Sequence, residues 1–319
     1  MSHIYLLSPS SAVLDKLGYR RGIKRLVAAG HTVEVDTDAL ARETRFAGDD
    51  ATRLLAIERA IASGADAVMT TRGGYGLSRL LPSLPYKAIA KSIDKGTQWI
   101  GFSDFTAFSL SVLAKSGRQT WAGPALLDDF GAVDGVDDIT HMCLNDVLSH
   151  MSEGTGWRMG RQDPTDFTVN NVTLWGGNLA VLTSLVGTPY MPAISRGALF
   201  LEDVAEPPYR IERMLTQLLH AGILAKQKVI FLGAFNRFKA SPQDKGFGMK
   251  SVVAWLRANT KAKVVTGLPF GHVPTKVLLP VGQPVNVVAH GSEVLVLWAH
   301  EHNTTMITDT PTNAHEECM

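Results

Sequence analysis

Through its first half the chain alternates short apolar runs with amphipathic segments of helical period, and this alternation constrains the fold more than any other feature. Residues 4–7 read as a strand. Residues 12–29 follow as a helix with Leu14, Leu17, Ile23 and Leu26 towards one face and Gly30 as its stop. Val33 and Val35 alternate within 31–36, a second strand. Asp49 and Asp50 cap a helix that carries Leu54, Ile57 and Ile61 and ends at Gly64. Residues 67–71 and 99–103 are the third and fourth strands. Strands separated by helices can pair in parallel, because each helix supplies the crossover that a parallel pair needs. The pattern predicts an α/β domain, a parallel sheet with helices on both faces, whose ligands bind beyond the carboxyl ends of the strands.

Three of those ends carry informative sequence: Ser8-Pro9-Ser10-Ser11, Arg72-Gly73-Gly74-Tyr75-Gly76 and Gly101-Phe102-Ser103-Asp104. They should converge on one crevice. In the last, a strand stops at a small residue, presents a hydroxyl and turns into a helix with Phe105, Phe108 and Val112 on one face, Lys115 near its end and Gly117 as C-cap. A serine so placed sits beside free backbone N–H groups and the positive end of the helix dipole. Ser-Asp ahead of an apolar run is also the ordinary signature of an N-cap, and these four residues alone favour that reading. A nucleophile at Ser103 needs a base and a second oxyanion donor from elsewhere.

Beyond residue 150 the pattern changes. Residues 151–167, rich in Gly, Arg and Asp, read as a linker between an N-terminal domain (1–150) and a C-terminal one (168–302). In the latter, residues 172–174 lead through Trp175-Gly176-Gly177-Asn178 to a helix with Leu182 and Leu185. A strand over 198–202 ends on Glu202. Pro207-Pro208 opens a helix with Ile211, Met214, Leu215, Leu218 and Leu219 on one face and Gly222 as its cap. Strands at 229–233 and 264–267 and an antiparallel hairpin, 285–288 with 294–297, complete a mixed α/β domain. The polar stretch 303–319 is expected to be poorly ordered.

Composition narrows the function. Hydrophobic residues make up 45% of the 319 and charged ones 19%, as in a globular protein. Thirty-one Lys and Arg balance thirty Asp and Glu, so no strong field draws nucleic acid or an acidic membrane. The two cysteines, Cys143 and Cys318, lie far apart, and neither a signal h-region nor a membrane-length apolar span is found. A cytoplasmic protein acting on a small ligand is the expectation. With no HExxH and no compact His/Asp cluster, no metal is expected; the 72–76 loop matches neither GxGxxG nor a P-loop, so no nucleotide cofactor is expected either.

Outside the serine turn three features carry chemistry. Gly73 and Gly74 let the backbone approach a ligand closely and can supply an oxyanion donor, or they form a plain βα turn. His272 follows an apolar strand in a loop fixed by Pro269 and Gly271, although most loop histidines are merely exposed. Glu202 ends a strand, where a carboxylate can orient an imidazole, while Asp203 or Glu206 suits a helix N-terminus. The order Ser, Glu, His is one in which catalytic triads occur, but geometry decides such triads. The turn also lacks the second glycine of GxSxG, against a standard α/β-hydrolase elbow.

In sequence order, Ser8-Pro9-Ser10-Ser11, Phe46-Ala47-Gly48, Arg72-Gly73-Gly74-Tyr75-Gly76, Gly101-Phe102-Ser103-Asp104, Gly176-Gly177-Asn178-Leu179, Leu201-Glu202-Asp203 with Pro208-Tyr209-Arg210, and Gly271-His272 resemble the LD-carboxypeptidase family of cytoplasmic serine peptidases. That family includes muramoyl-tetrapeptide carboxypeptidases and microcin C immunity peptidases. The resemblance implies Ser103 as nucleophile, His272 as general base, Glu202 as the carboxylate behind it, and backbone amides of Gly73, Gly74 and Asp104 as the oxyanion hole. It implies a homodimer that releases D-Ala from a muropeptide without a cofactor. For the substrate carboxylate the candidates are Ser10 and Ser11, as a helix start, or Arg210. Trp175 and Asn178 either line the substrate side or, for Trp175, pack between domains.

Overall fold

The computed structural model describes residues 1–239 and 241–298. The stretch 303–319, with the expectation attached to it, lies outside the described residues. Strand β1 (His3–Leu7) leads to α1 (Lys16–Ala28), β2 (Thr32–Val35), α2 (Asp50–Ser63), β3 (Ala67–Thr70), a short α3 (Leu77–Leu80), α4 (Tyr86–Asp94), β4 (Gln98–Gly101), α5 (Phe105–Ser116) and β5 (Thr120–Ala122). In the first sheet β5-β4-β3-β1-β2 run parallel to one another. β1 and β3 are buried along almost their whole length, as strands covered on both faces must be.

A π-helical turn (Leu126–Phe130) and α6 (Asp138–Leu148) precede the second unit. It comprises β6 (Gly154–Arg158), β7 (Phe167–Asn178), α7 (Leu179–Ser184), β8 (Gly197–Val204), α8 (Pro208–His220), β9 (Gln227–Asn236), α9 (Met249–Asn259), β10 (Lys263–Thr266), β11 (Leu279–Val281), β12 (Pro284–His290) and β13 (Glu293–Leu297). Here β10-β9-β8-β7 are parallel, and β12, β13 and β6 extend the sheet antiparallel on the other side of β7. The protein is thus a parallel α/β domain joined to a mixed α/β domain with an antiparallel hairpin. Among the described residues no helix is long and apolar enough to cross a membrane.

Three expectations need correction. Helix α1 starts at Lys16, with Asp15 accepting from the Gly18 N–H as N-cap, and its inner face is Gly18, Tyr19, Gly22 and Leu26. Leu14 and Leu17 are 63% and 71% exposed. The glycines decide this: a Cβ on Gly22 would lie 2.8 Å from the Leu126 side chain, so the helix docks through its smallest residues. The stretch 151–167 is not a free linker. It contains β6, paired with β13, and Asp163, whose carboxylate accepts from Gly160 N (2.9 Å) and Thr266 N (2.6 Å) and is paired with Arg257. Only Trp157 of β6 is buried, too little alternation to reveal a strand.

Lastly, the two units are not sequential. β11, from late in the chain, pairs antiparallel with β5 of the first sheet before the chain returns to the second sheet as β12. Residues 267–278 therefore form a strap from one sheet to the other.

Candidate active site

Ser103 lies between β4 and α5 with φ +61°, the left-handed region that a non-glycine residue occupies at a cost of about 1–3 kcal/mol. It is not the helix N-cap; that position falls to Asp104, in αR geometry and without a side-chain cap. The Ser103 hydroxyl makes no hydrogen bond among the described residues. The N-cap alternative thus fails on geometry, and the hydroxyl is left half-buried in a strained turn.

The glycine loop presses on that turn. A Cβ on Gly73 would lie 2.7 Å from Ser103 Cβ, 2.8 Å from its Oγ and 3.4 Å from Asp104 N, so only glycine lets the 73 peptide approach the hydroxyl. Gly74 has φ +112°, and a Cβ there would strike Ser11 Oγ at 2.2 Å. The Gly73, Gly74 and Asp104 N–H groups donate to no group among the described residues.

Ser10 and Ser11 are not a helix start. Ser11 forms an isolated bridge with Phe46, and α1 begins later. Ser10 Oγ donates to Asp104 Oδ2 (2.7 Å), which also accepts from Leu77 N (2.9 Å); Ser11 Oγ accepts from Tyr75 N (3.1 Å). Both serines are buried and hold the 72–77 loop against the Ser103 turn instead of facing a ligand. Burial pushes the Asp104 carboxyl up, against the hydrogen bonds from Leu77 and Ser10.

From the second domain, β8 delivers Glu202, fully buried, and the strap delivers His272. Glu202 Oε2 lies 2.8 Å from His272 Nδ1, and Oε1 accepts from Asn178 Nδ2 at 3.1 Å. The same Nδ2 donates to Asp203 Oδ1 (2.9 Å), and Asp203 Oδ2 accepts from Ala180 N (2.9 Å). Asp203 therefore serves the start of α7. Helix α8 has Pro207 as its N-cap, with no side-chain cap, and Glu206 pairs with Arg210 one turn on. Burial, the largest influence, pushes the Asp203 carboxyl up to about 6. A Cβ on Gly271, at φ +124°, would lie 3.0 Å from both Cβ and Oε2 of Glu202, so the residue before His272 must be glycine.

The two domains meet at this point. The His272 ring packs 4.9 Å from the ring of Phe102, the residue before Ser103, and Asn178 N donates to Thr106 Oγ1 (2.9 Å) in the first turn of α5. The structure thus brings His272 beside the Ser103 turn with Glu202 behind it, although no hydrogen bond joins Ser103 Oγ to the imidazole. Such a bond often tightens only when substrate is bound. A hollow of about 150 Å³ opens here, lined by Phe102, Asp129, Arg237, His272 and Lys276. A larger cavity, about 530 Å³, lies between the glycine loop and α7, with Tyr75, Asp104, Val181 and Tyr190 in its walls. A third, about 600 Å³, lies over β9 and α9 around Phe235, Met249 and Arg257; it contains none of Ser103, Glu202 and His272.

Three further candidates fall away. Trp175 is 1% exposed and donates its indole N–H to Gln227 (2.9 Å), so it is core of the second domain and not a cleft wall. Arg210 is exposed and neutralised by Glu206. Asn178, 5% exposed, orients Glu202 and caps α7 through Val181 N rather than lining a substrate path. Thr106 was not legible beforehand, because a threonine in an apolar helix carries no signal. Among the described residues no group of three or more His, Cys, Asp or Glu is arranged to hold a metal ion.

Residues 4–123 match the model of the LD-carboxypeptidase N-terminal domain, and 171–287 that of the LD-carboxypeptidase C-terminal domain. The crystal structure of muramoyltetrapeptide carboxypeptidase from Oxalobacter formigenes superposes with a TM-score of 0.85 at 37% identity, over 93% of this chain and 99% of that one. A putative carboxypeptidase of Streptomyces coelicolor is 32% identical over 76% of each chain. The microcin C7 self-immunity protein MccF of Escherichia coli is 28% identical over 67% of this chain and 69% of its own.

Proposed function

This chain belongs to the LD-carboxypeptidase family, and on that premise we propose that it is a serine peptidase that hydrolyses the L,D-peptide bond of cytoplasmic murein tetrapeptide and releases the C-terminal D-alanine. The observation that carries this reading is the Glu202–His272 contact of 2.8 Å, set beside a strained, unbonded Ser103. In this mechanism His272 takes the Ser103 proton as the hydroxyl attacks the scissile carbonyl. Glu202 on Nδ1 holds the imidazole in the tautomer that leaves Nε2 free and stabilises the imidazolium that forms. The N–H groups of Gly73, Gly74 and Asp104, which donate to no group among the described residues, receive the oxyanion. His272 then protonates the leaving amine, D-Ala departs, and water hydrolyses the acyl-enzyme by the reverse proton path.

The likeness to MccF supports a second reading, hydrolysis of a peptide–nucleotide conjugate by the same groups. Replacing Ser103→Ala tests both. D-Ala release from L,D-tetrapeptide should vanish while binding of the intact peptide persists. If the variant still releases D-Ala, Ser103 is not the nucleophile. If wild type cleaves an aminoacyl-sulfamoyl nucleotide faster than the tetrapeptide, the second reading replaces the first. If it binds both and cleaves neither, the protein is a binding module.

A further inference from the structure

His272 is held from two directions, and only one is the Glu202 contact. The other starts four residues along the strap, at Lys276. This lysine is 1% exposed, and its ammonium lies 2.5 Å from Asp129 Oδ1 and 2.6 Å from Val273 O. Its remaining side faces the Phe102 ring at 4.9 Å, and that ring packs against His272. Asp129 is equally buried. It belongs to the π-helical turn of the first domain, where its second oxygen accepts from Ala125 N (2.8 Å). Around the pair, Thr140 Oγ1 accepts from Lys276 N (2.7 Å) and Thr275 Oγ1 donates to Asp137 Oδ2 (2.8 Å). The segment after His272 is therefore anchored to the first domain, although Glu202, which orients the imidazole, belongs to the second.

We propose that the buried Lys276–Asp129 pair is a positioning element for the reaction: it fixes the strap and, through the ring of Phe102, the approach of His272 to Ser103. A buried ion pair is a poor device for stability alone, since an apolar pair of similar volume commonly stabilises as well or better. What an apolar pair cannot supply is direction. The ammonium satisfies one carboxylate oxygen, one carbonyl and one ring face, and each fixes a different part of the path from the nucleophile's turn to the base. A displacement of about 1 Å at a reacting group can cost about a hundredfold in rate.

The inference rests on Ser103 and His272 being nucleophile and base, so the test reads that pair directly. The rate at which a fluorophosphonate labels Ser103 is measured for wild type, His272→Ala, Lys276→Met, Asp129→Asn and the double variant Lys276→Met/Asp129→Asn. Labelling should be lost in His272→Ala and fall about a hundredfold in each single variant. The double variant should be no slower than the slower single, because both remove one device. In tetrapeptide turnover the loss should fall on kcat, with KM within about twofold, a split that general loosening of the fold does not produce. Circular dichroism and thermal melts establish that the variants are folded. A wild type that does not label, or a His272→Ala that labels normally, sinks the parent reading and this inference with it. Normal labelling by folded Lys276→Met and Asp129→Asn alongside a dead His272→Ala overturns the inference alone. Failure of both single variants to fold also overturns it, by assigning the pair to stability.

Discussion

Asn178 Nδ2 lies 3.1 Å from Glu202 Oε1, the oxygen opposite the one that meets His272. One amide thereby sets the rotation of the buried carboxylate while its own carbonyl caps α7 and its backbone N–H reaches Thr106 in the other domain. Removing it should disturb the site and the domain interface together. Asn178→Ala is expected to lower kcat by about ten- to a hundredfold, the usual cost of losing a partner that orients a functional group. It should also cost about 1–3 kcal/mol of stability, for the lost cap and the unpaired acceptors. Steady-state kinetics with chemical denaturation checks both; unchanged kcat would show that Glu202 holds its position unaided.

Gly73 tests the packing of the loop against the nucleophile. Its φ is not left-handed, so Gly73→Ala brings no backbone penalty, but the added methyl would meet Ser103 at 2.7–2.8 Å. The turn must shift to admit it, at a cost of about 1–3 kcal/mol, and kcat should fall by about a hundredfold or more, the scale of removing one oxyanion donor. A Gly73→Ala enzyme with wild-type turnover would remove this loop from the site.

Gly271 adds a backbone penalty. Here Ala suffers both a φ of +124° and a Cβ 3.0 Å from Glu202, so stability and activity should fall together. A loss of about 1–3 kcal/mol is expected from the backbone alone. A thermal melt of Gly271→Ala beside wild type checks this, and an unchanged melting temperature would contradict it.

Asp203 makes a pH prediction. Burial raises its carboxyl to about 6, outweighing the hydrogen bonds from Asn178, Val204 and Ala180. Between pH 4 and 6 the folded protein keeps this proton while the unfolded chain loses it. The native state then binds more protons, and this group's contribution to stability falls as pH rises through that window. The full effect is on the order of 2–3 kcal/mol. Unfolding free energies of wild type and Asp203→Asn across pH 4–7 should differ by an amount that changes in that direction. A pH-independent difference would mean the carboxyl titrates near its ordinary range. Asp129, likewise raised to about 6 by burial, contributes in the same sense to both proteins and cancels.

Much of the fold was legible because it is local. Period and caps placed β1, β3, β4, α2 and α5, down to the left-handed Gly64 and Gly117, and Pro207-Pro208 marked the start of α8. Ser103, Glu202 and His272 stood out as polar groups where apolar runs stop, although β8 does not end on Glu202 but carries it, fully buried, on to Val204. Less was legible wherever a residue's task depends on a partner far along the chain. Ser10 and Asn178 looked like ligand contacts and proved to be hydrogen-bonded supports, because each partner lies dozens of residues away or more. Trp175 gave no hint of Gln227, nor Lys276 of Asp129. The departure of β11 to the first sheet is the clearest case: three residues carry no periodicity, and only closure of β5's open edge fixes where they go. The sequence alone determined which groups can react, through side-chain chemistry and local backbone preference. Tertiary structure decided which of them meet, because the strap that carries His272 is drawn between two sheets by contacts that no spacing along the chain encodes.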